Sequence, residues 1–154
     1  MKLLAPCAGR VIPITEVEDP VFAGEMVGPG VAIEPLLEPA TVVSPIAGKV
    51  VKVHPHAFVV LNEQDKLGVL VHLGINTVKL EGKGFEVLAA QGDYVEAGDP
   101  MVRWNPADIT GEGETAGMLR TVPVVLLDRP AGSVDAGPAR EVHAGDTLFD
   151  SGGE

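Results

Sequence analysis

The chain has 154 residues, 45% of them hydrophobic but only 4% aromatic, with 19 glycines and 13 prolines. Its core must therefore be built from Val, Ile, Leu and Ala between many turns. A formal charge of −11 repels phosphate backbones, which argues against nucleic-acid binding and suits encounter with a basic face on a protein.

Taken in order, short β-branched runs dominate: GRVIPI (9–14), GVAI (30–33), ATVVS (40–44), GKVVKV (48–53) and AFVVLN (57–62). LGVLVHLG (67–74), MVRW (101–104), TVPVVLLD (121–128) and DTLFD (146–150) follow. Each is bounded by Gly, Pro, Asp or Asn, which supply turn dihedrals that β-branched residues resist. Many short strands at close spacing predict an all-β fold, a flattened antiparallel sandwich or barrel with only short helical turns. GKGFEVLAAQGD (82–93) is expected to hold one helical turn around Phe85–Ala90, and the Gly-rich segment 104–119 at most short 3₁₀ or α turns.

Two weak repeats divide the chain into related β motifs. APCAGRV (5–11) matches SPIAGKV (44–50), and YVEAGDPM (94–101) matches EVHAGDTL (141–148). Each Ala-Gly pair predicts a tight turn with glycine at positive φ. A single domain over 1–154, with its core at about 5–150, is expected. The lone cysteine, Cys7, excludes an internal disulfide and reads as a small buried residue. No apolar run approaches the ~18 residues of a membrane span and no secretory leader is recognisable, so a cytoplasmic protein without membrane insertion is expected.

Three of the four histidines cluster: His54 and His56 flank a proline, and His72 stands inside an apolar run. On period-2 alternation Leu70, His72 and Gly74 share a face, with Gly74 leaving room beside the ring. His54 and His56 also share a face and can converge with His72 from a neighbouring strand. Convergent imidazoles suit zinc, a phosphoryl-transfer site, or a buried ring satisfied by one hydrogen bond. Zinc hydrolysis wants an acid/base partner, and no Asp or Glu lies in the immediate motif. Phosphoryl transfer needs one neutral imidazole to attack phosphorus and a second to donate to its oxygens. The fourth, His143, falls in the VHAGD turn opposite Glu96 of the other copy and reads as a solvated turn residue.

VFAGEMVGPGVAIEP (21–35), SPIAGKV (44–50), HAF (56–58), VHLGINTVKLEGKGFE (71–86), GDYVEAGD (92–99) and VHAGDTLF (142–149) together resemble the glucose-type IIA component of the bacterial sugar phosphotransferase system. The resemblance runs from about Ala5 to Asp150, and the block beginning at Val71 is its most specific part. It implies an all-β sandwich and no cofactor. It also implies that His72 takes a phosphoryl group on Nε2 from the phosphohistidine of the carrier HPr. His56 would be the second active-site histidine, supporting the group as it passes to a cysteine on the IIB domain of a permease of glucose or N-acetylglucosamine type. Val21 and Phe22 would belong to the apolar docking patch, with Asp19 facing a basic residue of HPr and Gly74 and Asn76 in the same partner-binding region.

Two positions depart from the family. His54 stands where a threonine is usual, as a possible auxiliary group, and Asn76 stands where glucose-type members carry Asp. Two other readings use the same histidines. One is a zinc-dependent hydrolase of LytM-like scaffold, which also needs an upstream His and a following Asp. The other is a non-enzymatic regulatory protein that shows this face to protein targets, one of which could complete a shared zinc site with His56 and His72.

Overall fold

The structure is a computed structural model and describes residues 1–151. The described strands are β1 (Lys2–Leu4), β2 (Gly9–Pro13), β3 (Gly30–Pro35), β4 (Ala40–Val43), β5 (Gly48–His54), β6 (Ala57–Asn62) and β7 (Leu67–His72). They continue with β8 (Glu86–Val87), β9 (Tyr94–Val95), β10 (Pro100–Trp104), β11 (Val122–Leu127), β12 (Arg140–Val142) and β13 (Thr147–Asp150). Helical structure among the described residues is confined to α1 (Pro20–Ala23) and to 3₁₀ turns at Ile14–Glu16, Thr77–Leu80, Pro106–Asp108 and Gly113–Thr115. No helix among the described residues is long and apolar enough to cross a membrane.

The strands make an eight-stranded sheet in the order β12-β2-β3-β11-β7-β6-β5-β9, a three-stranded sheet β4-β10-β8 and the pair β1-β13. The fold is all-β, antiparallel and sandwich-like, with sheets that do not close. Segment 82–93 departs from the expected helical turn. Glu86–Val87 forms β8 against β10, with Val87 opposite Val102, and Phe85 stacks on Trp104 at 5.8 Å and 12°. The open edge of β10 supplies backbone partners for Glu86 and Val87, and the segment is captured there as a strand.

Both repeats are visible in the hydrogen bonds. About the middle of the large sheet, β12, β2, β3 and β11 on one side correspond to β9, β5, β6 and β7 on the other. Leu4 N–H donates to the Pro45 carbonyl at 3.0 Å, and Val43 N–H donates to the Pro6 carbonyl at 2.9 Å. Ala5 N–H to Asp146 O (2.7 Å) is likewise matched by Ser44 N–H to Asp99 O (2.8 Å). Gly98 and Gly145 take the expected left-handed dihedrals, φ +95° and +92°. Gly9 and Gly48 are needed for a different reason: a Cβ would lie 2.2 Å from Glu34 O or 2.4 Å from Leu61 O.

Alternation along the central strands separates two apolar clusters. Val69 and Val71 of β7, Val31 and Ile33 of β3, and Val124 and Leu126 of β11 join the main core. The intervening Ala32 and Val125 point the other way, into a smaller cluster with Ile12, Ile14, Val17, Phe22 and Ile75. Leu70 packs partly buried against that cluster, and His72, two residues on, shares its parity.

Candidate functional site: a pair of facing imidazoles

His72 is the last residue of β7, and Ala57, the first residue of β6, lies opposite it. His54 closes β5 against Ala57, so Pro55 and His56 form a two-residue hairpin loop. Leu73 N–H donates to the His56 carbonyl at 2.7 Å and ties that loop to β7. The His56 and His72 ring centroids consequently stand 5.2 Å apart, edge to face at 71°. His54 stacks on His56, at 5.8 Å and 22°.

One bond fixes the chemistry of His72. Its Nδ1 lies 2.5 Å from the Gly74 carbonyl oxygen. A carbonyl can only accept, so Nδ1 carries the proton, and the neutral ring keeps its lone pair on Nε2. Gly74 acts otherwise than the alternation implied. β7 stops at His72, and Gly74 turns the chain at φ +84°, where a Cβ would lie 2.6 Å from Thr77 Cγ2 and 2.7 Å from Leu119 O. Its part is to bend the backbone so that its own carbonyl meets the ring. Thr77, buried, donates from Oγ1 to Leu73 O at 2.6 Å, and Ile75 bridges to Leu119. Neither Thr77 nor Leu119 was singled out from the sequence.

Phe22 covers His72 from α1, with ring centroids 5.4 Å apart at 61°. α1 is started by Asp19, whose carboxylate accepts the Val21 N–H at 2.8 Å, while Pro20 supplies the preset first dihedral. Phe22 is buried at 7% exposure beside Val21 at 44%. Met26 and Val78, on segments flanking the rings, are also exposed, at 76% and 55%. The result is an open apolar surface around partly covered imidazoles. Asn76 takes a left-handed conformation, φ +65°, and donates from its side chain to Gly117 O at 3.0 Å.

Electrostatics keep both rings neutral. Burial lowers the His72 pKa, against the opposing pull of the Gly74 carbonyl and the Asp19 charge. His56 falls to about 4, through burial first and then the neighbouring His72 and His54. His56 and His72 are the imidazoles placed to share a metal, but no three His, Cys, Asp or Glu side chains among the described residues are grouped to hold one. A hydrolytic zinc site with three protein ligands therefore lacks its ligand set there. Cys7 is buried, its thiol pushed up to about 12. His143 is exposed beside Asp146 in its turn, 3.5 Å from the carboxylate.

Comparison with known proteins shows the family and the fold. A protein family described as "phosphoenolpyruvate-dependent sugar phosphotransferase system, EIIA 1" matches residues 1–130. Curated relatives include the "PTS system glucose-specific EIIA component" of Staphylococcus epidermidis, 45% identical over 106 residues, or 68% of this chain and 63% of that protein. The protein of the same description from Staphylococcus aureus is 46% identical over the same shares. The match thus spans less than two thirds of these relatives' length. The solved glucose permease IIA from Mycoplasma capricolum superposes with a TM-score of 0.84 at 32% identity, covering 97% of this chain and 94% of that one. With its matched β motifs, its facing imidazoles and these similarities, the chain belongs to the EIIA 1 family of the phosphoenolpyruvate-dependent sugar phosphotransferase system.

Proposed function

We propose that the chain is a cytoplasmic phosphocarrier that takes a phosphoryl group from HPr on Nε2 of His72. It then passes the group to the cysteine of the IIB domain of a glucose- or N-acetylglucosamine-type permease. The observation that carries this reading is the bond from His72 Nδ1–H to Gly74 O, which leaves Nε2 as the free lone pair in the open, apolar surface. In the forward step that lone pair forms a P–N bond as the donor's P–N bond breaks. The donor ring keeps the released electron pair. His56, edge-on to His72, donates a hydrogen bond to the phosphoryl oxygens, where charge gathers in a loose transition state. In the second step a cysteine thiolate of IIB attacks phosphorus and returns the electron pair to Nε2. No cofactor enters either step. Val21, Phe22 and the adjoining backbone at Gly74 and Asn76 would form the docking surface, and Asp19 its acidic rim.

The test is to incubate the protein with enzyme I, HPr and labelled phosphoenolpyruvate and to follow acid-labile, base-stable label. His72→Gln is expected to take none, and labelling equal to wild type would refute the assignment. His56→Gln is expected to accept label from HPr but to lose on the order of a hundredfold or more in transfer to IIB, read by the rate of label loss when IIB is added.

A further inference from the structure

His72 is anchored by a carbonyl, but His56 is not anchored in that way. Neither of its ring nitrogens hydrogen-bonds to another group among the described residues, and what bears on the ring is aromatic: His72 in an edge-to-face contact and His54 stacked nearly parallel to it. His54 is in turn well placed, because it pairs with Ala57 at the end of β5 and so has a fixed backbone. Pro55 between them is backed by Gly82, where a Cβ would meet the proline ring at 3.2 Å. The hairpin tip is therefore held from behind while its two imidazoles lie face to face, the inner one against His72 and the outer one exposed.

We propose that His54 is a positioning residue for phosphoryl transfer, which orients the His56 ring by stacking and couples its own charge to the proton that His56 can carry. The inference rests on the phosphocarrier reading for its consequence in transfer, although the coupling itself belongs to the unphosphorylated protein. The groups whose charge bears on His56 are His72 from β7 and His54 from β5, and both oppose its protonation. Asp19, at the start of α1, bears on His72 instead. When a phosphoryl group sits on His72, its negative charge draws a proton onto the neighbouring imidazoles. Two stacked rings cannot both hold one cheaply, because a positive charge on one disfavours a positive charge on the other. A neutral His54 leaves that proton to His56, beside the phosphoryl oxygens. A charged His54 denies it.

Two variants separate geometry from charge. His54→Phe keeps a flat ring and removes the charge, whereas His54→Ala removes both. In the unphosphorylated full chain, ring-proton NMR titration of His56 should move towards neutral pH in both variants, because one of the two neighbouring charges that oppose its protonation is gone. In the transfer assay His54→Ala should slow passage to IIB on the order of tenfold, while His72 still takes label from HPr. His54→Phe should recover most of that rate and hold it further towards acid than wild type does. Identical His56 titration curves in wild type and His54→Phe would overturn the charge coupling, and a wild-type transfer rate in His54→Ala would overturn the positioning. Should wild type itself take no label, the phosphocarrier reading fails, while the titration still decides whether the rings are coupled.

Discussion

A nitrogen attacks phosphorus only while its lone pair is free, and for His72 that condition is set by a backbone oxygen and by burial. The Gly74 carbonyl places the proton on Nδ1, and burial lowers the pKa of the ring. The reactive form is neutral, so lowering the pKa extends reactivity towards acid. Acceptance of phosphoryl from HPr should stay flat as the pH falls through ~6.5, the ordinary histidine value, and decline only below it. Asp19 favours the protonated ring, so Asp19→Asn should move that decline further towards acid. Asn still caps α1, and a shift towards neutral pH in a rate–pH profile would contradict the account. The convergence of His56 with His72 could be anticipated from two histidines two residues apart on a neighbouring strand, although His56 lies in the hairpin loop between β5 and β6 rather than on an extended face beside His54. The acceptor for Nδ1 could not, since a backbone carbonyl has no residue identity to read.

At the scale of strands and turns, the site depends on how closely two backbones approach. β5 and β6 carry the tip with His54 and His56, and Gly48 opens β5 where a Cβ would lie 2.4 Å from Leu61 O. Gly48→Ala should destabilise the fold by about 1–3 kcal/mol through overpacking at this ladder, measured by urea unfolding, and should weaken the contact between the His56 and His72 rings in NMR spectra. Wild-type stability in that variant would show that the strands can part at no cost. The strands themselves were legible, because their β-branched runs stand between glycines and prolines. Two local readings failed for identifiable reasons. LGVLVHLG stays apolar past the residue where β7 ends, so alternation carried Gly74 onto a strand face it does not occupy. Phe85–Ala90 has too little local preference to resist pairing with β10.

Across the whole molecule, surface charge governs approach rather than cohesion. The ion pairs Lys83–Glu114 (2.9 Å) and Arg103–Glu86 (2.7 Å) are more than half exposed, and such pairs contribute little to stability. A chain of net charge −11 is instead steered towards a basic partner over distances that salt shortens. On the proposed function, association with HPr measured by stopped flow should slow on the order of tenfold between low and physiological ionic strength. A rate indifferent to salt would leave the apolar surface around Phe22 as the sole guide to docking.

The two related motifs are nested rather than successive. One, from β4 to β10, is continuous in the chain, whereas the other is divided around it, with β1 paired to β13 so that Lys2 faces Asp150. During synthesis the inner motif can gather its own strands as soon as it leaves the ribosome. The earliest strand must wait for the latest, across nearly the whole length of the polypeptide, and such distant closure is slow. Nascent chains would therefore carry a finished imidazole hairpin before they have a finished edge.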